Sequence, residues 1–282
     1  QIMDLNLEAD AVEEIGRVYG LDNIKPSFPC LPIVPAKRND GIFWENAAKE
    51  AMKDAGFCEA YNYSLILDKQ AETFGFPADV LVELKNPVNA GQKYMRPSLL
   101  PGLLANVKNN EKTASDQSGG VSFSEIKIFE MGRIFYSAEE KGTPVNREKM
   151  ALAGVLLGGE KDFYKIKSAV DLLVSRLGAG KAVVEEAGAS GNGNEIWHSG
   201  IRAEIKLNGE KIGMMGQISP RVSEELGIAQ GVSAFEIDFD KLPAFVTSIS
   251  VSKFDTITFS GTDSLVNLVA KDVNYLVAPQ IS

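Results

Sequence analysis

The feature that most constrains the fold is a pair of strand-like segments joined by a tight turn. Residues 201–209 read IRAEIKLNG, and residues 210–219 continue as EKIGMMGQIS. An Asn-Gly pair between two such segments is typical of a two-residue β-hairpin turn, because both turn positions take a positive φ. Since a hairpin holds its strands antiparallel, this stretch predicts an antiparallel sheet.

Other segments add strands to that sheet. Residues 126–140, IKIFEMGRIFYSAEE, predict a strand, a turn and a second strand. Single strands are predicted for EAYNYSLIL at 59–67, ALAGVLLGG at 151–159 and SAFEIDFDKL at 233–242.

Segments with helical periodicity lie between these strands. They are predicted over 41–57, from near Pro101 onward, over 162–178 and over 220–228. Strands that follow one another through hairpins, with helices between them, place the chain in the α+β class.

The N-terminal part is organised differently. Residues 6–24 predict a helix of about three turns that ends at Gly20, with Val12, Ile15 and Val18 at helical spacing. Residues 25–37 carry four prolines and predict an extended linker, because proline cannot continue a helix.

Composition excludes several classes of protein. Apolar residues make up 44% of the chain and charged ones 24%, as in globular proteins. The net charge of −9 and the lack of a Lys/Arg cluster disfavour direct RNA binding by this chain alone. Two cysteines, Cys30 and Cys58, and no apolar run of about 20 residues predict a cytoplasmic protein without a membrane span. The chain begins QIMDLNLEAD, without an initiator methionine, which suggests a piece of a longer protein.

Taken in order, the segments resemble the β subunit of bacterial phenylalanyl-tRNA synthetase. The resemblance covers roughly residues 4 to 242. It is carried by EADAVEEIGRVYGLDNI, NPVNAGQKYMRPSLLPGLLANVKNN, KIFEMGRIFY, DFYKIKSAVDLL, WHSGIRAEIKLNGEKIGMMGQISP and AFEIDFDKL.

The resemblance implies a class II aminoacyl-tRNA synthetase fold, an antiparallel β-sheet flanked by helices. It divides the chain into the end of a small helical domain with its linker (1–35), a synthetase-like domain (36–245) and an uncertain β-rich tail (246–282). In such enzymes the α subunit holds the active site, and the β subunit's version of the fold is catalytically silent. We therefore expect a noncatalytic module that scaffolds α in a heterotetramer of two α and two β chains, with tRNA(Phe) as the substrate of the whole enzyme.

The module is expected to lack catalytic activity because the residues that bind ATP in active class II chains are replaced here. Active class II chains carry an arginine after the strand that here ends at Phe135, followed by an acid; this chain has Tyr136 and Ala138. In the late strand, Glu236 and Asp238 stand where glycines admit the nucleotide, and Lys241 stands at the arginine position. A planar arginine fork can hold phosphate oxygens bidentately, whereas carboxylates repel them.

The resemblance also implies a magnesium site, shared with the α subunit, at Asp4, Asp10, Glu13 and Glu14. Carboxylate oxygens suit this cation. The same acids would also complement the dipole at the start of a helix. We expect the chain alone to bind Mg²⁺ weakly if at all.

Other residues have structural and functional readings. Phe43 and Trp44, at the start of the 41–57 helix, fit either the core or an interface with α or a second copy. Arg96 and Arg133 are expected in salt bridges rather than at an anion site. His198, the one histidine, is expected in a packed or hydrogen-bonded surface position.

Two alternative functions remain open on the sequence. One is an active class II-type ATP-dependent ligase with an atypical site, built from Lys241 and an arginine from elsewhere. The other is a structural relative with a small-ligand pocket in the old cleft.

Overall fold

The computed structural model describes residues 7–27, 37–89, 91–115, 125–140, 142–159, 162–188, 196–229 and 231–246. The chain divides into two compact units, residues 1–39 and residues 40–282.

The described part of the first unit contains one α-helix, α1 (Glu8–Tyr19), followed by a 3₁₀ turn over Leu21–Asn23. The Asp10 carboxylate accepts a hydrogen bond from the Leu7 backbone N–H at 2.8 Å, which satisfies a donor at the helix start. The helix ends at Gly20, whose φ of 92° suits glycine. No residue of α1 is buried, although it carries a row of apolar side chains. Its predicted extent is confirmed.

The second unit is built on a seven-stranded sheet with the order β1-β4-β5-β9-β8-β7-β6. All neighbours are antiparallel except β1 and β4, which run parallel. A separate two-stranded sheet pairs β2 with β3. The strands are β1 (Cys58–Glu59), β2 (Leu65–Ile66), β3 (Tyr94–Met95), β4 (Ile126–Glu140), β5 (Thr143–Leu157), β6 (Val183–Glu186), β7 (Trp197–Leu207), β8 (Glu210–Ile218) and β9 (Ser233–Asp238).

Helices cover both faces of this sheet, so the α+β prediction is confirmed. They are α2 (Asp40–Asp54), α3 (Asp68–Thr73), α4 (Leu100–Ser115), α5 (Asp162–Arg176) and α6 (Pro220–Leu226). One core packs α2 and α5 against side chains such as Leu152 and Phe235. The other packs α4 and α6 against the alternate strand residues, such as Ala151 and Ala234, because successive strand residues face opposite sides. In the described residues, no helix is both long and apolar enough to cross a membrane.

The hairpin predicted from Asn-Gly is present as β7 and β8. Asn208 has φ 48° and Gly209 has φ 83°, the positive values that this tight turn demands. Leu207 pairs with Glu210 across the turn.

The strand, turn and strand predicted over residues 126–140 is wrong. These residues form the single strand β4, paired with β5 from Ile126↔Leu157 to Glu140↔Thr143. Gly132, in the middle of this segment, makes room for a neighbour: a Cβ there would collide with Nη2 of Arg96. A glycine inside a strand can thus mark close packing rather than a bend.

The single strand predicted for residues 59–67 is also wrong. The segment contributes β1 and β2 to different sheets, with an irregular stretch between them. Glu130 of β4 holds that stretch through its side chain instead of its backbone, since its carboxylate accepts hydrogen bonds from the Asn62 backbone N–H at 3.2 Å and side-chain amide at 2.7 Å.

Some predictions lie outside the described residues. These are Asp4, Cys30, most of the proline-rich linker and all but Val246 of the 246–282 tail. The proposed domain division therefore stays a prediction.

Candidate functional site

A cavity of about 290 Å³ lies on the α4 side of the sheet, between β5, β8 and β9. Three of the degenerate positions, Glu236, Asp238 and Lys241, line it together. In the sequence analysis, these three residues were assigned to one site only through the resemblance to the synthetase family.

Glu236 ties β9 to the start of α4. Its carboxylate accepts a hydrogen bond from the Leu99 backbone N–H at 2.7 Å, and the Ser98 hydroxyl lies 3.0 Å from each carboxylate oxygen. Ser98 in turn accepts a hydrogen bond from the Leu100 N–H at 3.1 Å. Burial raises the pKa of Glu236 above its ordinary value, and the hydrogen bonds from Leu99 and Ser98 offset only part of that effect.

Asp238 lies two residues further along β9 and therefore on the same face. Its carboxylate forms a salt bridge of 3.0 Å with the ammonium of Lys149 on β5. That ammonium also lies 5.5 Å from the centre of the Tyr136 ring, within reach of a cation–π contact. Lys149 thus connects Tyr136, which does not itself line the cavity, to Asp238, which does.

Lys241 follows β9 in a 3₁₀ turn over Phe239–Phe245. Its ammonium binds Glu210 at 2.7 Å and donates to the Lys211 carbonyl at 3.1 Å. The hydrogen bond to Glu210 raises the pKa of Lys241, so the group stays cationic. Its charge is directed to the β7–β8 turn rather than to Glu236.

Tyr136 and Ala138 lie on the outer part of β4, opposite Arg147 and Val145 of β5. Arg147 forms a salt bridge with Glu140. No cation therefore replaces the missing arginine at Tyr136 except Lys149, among the described residues around the cavity.

Arg96 and Arg133 both form salt bridges. Arg96 is buried and contacts Glu130 at 2.6 Å, while its Nε donates to the Arg133 carbonyl at 3.0 Å. Arg133 is exposed and contacts Glu148 at 2.8 Å. Neither guanidinium lines the cavity.

The acids proposed for magnesium do not form a ligand cluster in the described part of α1. Asp10 accepts from the Leu7 N–H, and Glu14 forms a 2.5 Å salt bridge with Arg17. The described residues contain no group of three or more acidic, histidine or cysteine side chains that could hold a metal. Because Asp4 lies outside the described residues, the predicted magnesium site stays a prediction.

The remaining predicted positions lie away from the cavity. Phe43 is 41% exposed and meets Trp44 edge to face at 5.0 Å, while Trp44 packs partly against the larger core. His198 Nδ1 accepts a hydrogen bond from the Gly200 N–H at 3.0 Å.

Sequence reasoning missed most of the cavity lining and the residue that holds Glu236. Lys149, Trp197 and Met214 line the cavity, and Ser98 holds Glu236. Ser98 carries a usable signal, because a serine just before an apolar helix is a common capping residue. Lys149 lies in none of the segments that carry the resemblance. Trp197 and Met214 lie in one of them but have no role assigned there, and only the order of the strands brings the three together.

Residues 24–239 match the family model described as the phenylalanyl tRNA synthetase beta chain CLM domain. The chain belongs to this family. The match includes β1 to β9 and the helices α2 to α6.

Three similar proteins share the name phenylalanine--tRNA ligase beta subunit. The protein from Moorella thermoacetica is 31% identical over 84% of this chain and 29% of its own length. The protein from Fusobacterium nucleatum is 28% identical over 98% of this chain and 35% of its own length. The protein from Bacillus subtilis is 29% identical over 90% of this chain and 32% of its own length. The chain thus spans about a third of the length of these relatives.

Among solved structures, this CLM-family chain is similar to two described as pyrrolysyl-tRNA synthetase from Desulfitobacterium hafniense. One has a TM-score of 0.58 at 13% identity and covers 86% of this chain and 80% of that one. The other has a TM-score of 0.56 at 14% identity and covers 83% of this chain and 73% of that one. The likeness shows the class II synthetase fold predicted from the sequence.

Proposed function

We propose that this chain is a noncatalytic synthetase-like module of a phenylalanyl-tRNA synthetase β subunit, which scaffolds the catalytic α subunit in aminoacylation of tRNA(Phe). The family match and the name shared by the relatives support the assignment to a β subunit.

The observation that carries the noncatalytic part is the pair of carboxylates, Glu236 and Asp238, at the cavity. Adenylation builds negative charge on phosphoryl oxygens, which must be met by fixed cations or by a metal ion. Here the nearest lysine, Lys149, is already paired with Asp238, and Lys241 is paired with Glu210. A triphosphate would therefore meet uncompensated negative charge.

The scaffold role rests on the second unit as a rigid platform. The two cores fix helices on both faces of the sheet, and α2 begins with the partly exposed Phe43 and Trp44. Aromatic side chains at the start of a helix suit a protein interface. We place the contact with α, or with a second copy of this chain, at this end of α2.

The proposal is tested by calorimetric titration of the chain with ATP and Mg²⁺, with and without phenylalanine, and by capture of the cognate α subunit. We expect no heat of ATP binding and stable capture of α. The Phe43→Ser variant should weaken capture, whereas Tyr164→Ser, an exposed aromatic on α5, should not.

Each part of the proposal has its own contrary result. ATP binding at micromolar affinity, about −8 kcal/mol, would mean that the cleft is an active site. Failure to capture α would remove the scaffold role. Equal capture by both variants would move the interface away from α2.

For magnesium, we propose that the chain alone has no tight site. Asp10 and Glu14 are engaged within α1, so binding would first have to break those contacts. Titration of the chain with Mg²⁺, followed by the amide signals of α1, should show no saturation at micromolar concentrations. Saturation there would place the site in this chain without α.

A further inference from the structure

The cavity beside Glu236 has an uneven charge balance. Five ionisable side chains line it: Lys149, Lys211, Glu236, Asp238 and Lys241. All of them except Glu236 have an ion-pair partner. Lys149 pairs with Asp238, Lys211 with Glu204 at 2.7 Å, and Lys241 with Glu210.

Glu236 is the exception. Within the part of the chain that the structure describes, its carboxylate makes no ion pair and is held by the uncharged Ser98 hydroxyl and Leu99 N–H. Removing a carboxylate from water without a countercharge is unfavourable. Glu236 is therefore the one carboxylate lining the cavity that lacks a contact ion pair among the described residues, and Lys149 and Arg96 act on it only at longer range.

The rest of the lining is largely apolar. Ile134, Ala151, Trp197 and Met214 contribute walls from four different strands. The volume of about 290 Å³ is at the small end of the range for ligand sites. A ligand of that size would be comparable to one amino acid or a short amine.

We propose that this cavity binds a small molecule that carries one primary ammonium group on an apolar stem. The ammonium pairs with Glu236, and the stem lies against Met214, Ile134 and Trp197. A phosphate or carboxylate ligand would add negative charge beside Glu236 and Asp238 and is disfavoured. The proposal does not depend on the scaffold role, because a noncatalytic module can retain a ligand.

The test uses 2-phenylethylammonium as the probe and methyl-labelled methionine as the reporter. Met214 lines the cavity, whereas the neighbouring Met215 is buried in the core on the opposite face, so the two side chains act as reporter and internal control. The Met214→Leu variant assigns the reporter signal. We expect a saturable shift of the Met214 methyl and none of the Met215 methyl.

Matched probes isolate the charge. 2-Phenylethanol keeps the ring and stem but replaces the ammonium with a hydroxyl, and phenylacetate carries the opposite charge. Both should bind at least about tenfold more weakly than the amine. Equal affinity of the alcohol, tighter binding of the carboxylate or no saturable shift at millimolar amine would overturn the proposal.

A variant pair then tests Glu236 itself. Glu236→Gln keeps the shape and a hydrogen-bond acceptor for Leu99 but removes the charge, and should weaken the amine about tenfold while leaving the alcohol unchanged. Glu185→Gln, an exposed acid on β6, should bind both probes as the wild type does. Amine affinity that is unchanged in Glu236→Gln would show that Glu236 is not the partner. If that variant does not fold, the comparison of probes on the wild-type chain decides.

Discussion

At the scale of single residues, burial decides how much an ion pair stabilises the fold. The Arg96–Glu130 side chains are only 7% and 2% exposed, whereas those of Arg133 and Glu148 are 55% and 53% exposed. The buried pair has further partners, since Glu130 also holds Asn62 and Arg96 also holds the Arg133 carbonyl. Each polar atom left without a partner there would carry a desolvation cost.

Replacement of Arg96 by methionine should lower the free energy of unfolding by about 3–5 kcal/mol, because it leaves the Glu130 charge buried and unpaired. Replacement of Arg133 by methionine is the matched control and should cost less than about 1 kcal/mol. Urea unfolding of both variants measures the difference. Similar losses in the two variants would show that Glu130 finds another partner.

Glu236 gives a prediction about pH. Because burial raises its pKa in the folded state, the folded chain binds this proton more tightly than the unfolded chain, where the pKa is about 4.3. The contribution of Glu236 to stability is therefore present below pH 4 and is lost as the pH rises through the folded pKa.

The Glu236→Gln variant should consequently gain stability relative to the wild type as the pH is raised from 4 to 7. Urea midpoints of the two proteins, measured side by side, test this, since the contributions of other groups such as Glu125 cancel in the difference. A gap that is constant with pH, or that changes in the opposite direction, would contradict the raised pKa.

At the scale of elements, the hairpin and the long strand show what local sequence can and cannot determine. The β7–β8 turn needs positive φ values at Asn208 and Gly209. Asparagine tolerates such values and glycine adopts them freely, so this turn could be predicted. Gly132 lies inside the segment for which a turn was predicted, yet it is a strand residue of β4, and Arg96 passes close beside it. That contact joins residues far apart in sequence, and no local pattern contains it.

Replacement of Gly209 by alanine should cost about 1–2 kcal/mol, since an L side chain is disfavoured at this φ. Gly188 is the control, because an added Cβ there meets no atom within 4 Å and its φ is not in the left-handed region. The two alanine variants are compared by urea unfolding. Equal stability of the two would mean that the turn can change its conformation at little cost.

At the candidate site too, residues close together in the sequence could be predicted, whereas contacts between distant segments could not. The resemblance located Glu236, Asp238 and Lys241 because they follow one another in a short segment. Ser98 and Lys149 were missed because their contacts with that segment span 138 and 89 residues of sequence. The roles of all five stay predictions until binding is measured.

At the scale of the whole molecule, the two units differ in how much they bury. α1 has no buried residue, whereas β5 is buried from Ala151 through Leu157. Backbone amides exchange with solvent through local opening where packing is sparse and through global unfolding where it is dense.

Amide hydrogen exchange should therefore be fast throughout α1 and slowest in β5 and β9. Mass spectrometry of peptides from the two regions measures both at once. If α1 were protected as strongly as β5, the chain alone would already cover its apolar face. Addition of the α subunit to the same experiment shows whether a partner covers it.

The position of β9 also governs when the fold can be completed. β9 is the last described strand in the chain, yet it lies in the middle of the sheet, between β5 and β8. During synthesis on a ribosome, the sheet stays divided until residue 238 has emerged. Its two halves are β1-β4-β5, with β5 at an open edge, and β8-β7-β6, with β8 at an open edge. Open edges are sites of wrong pairing between chains. A nascent chain stalled before residue 233 should therefore aggregate or recruit a chaperone, and one stalled well beyond residue 246 should not.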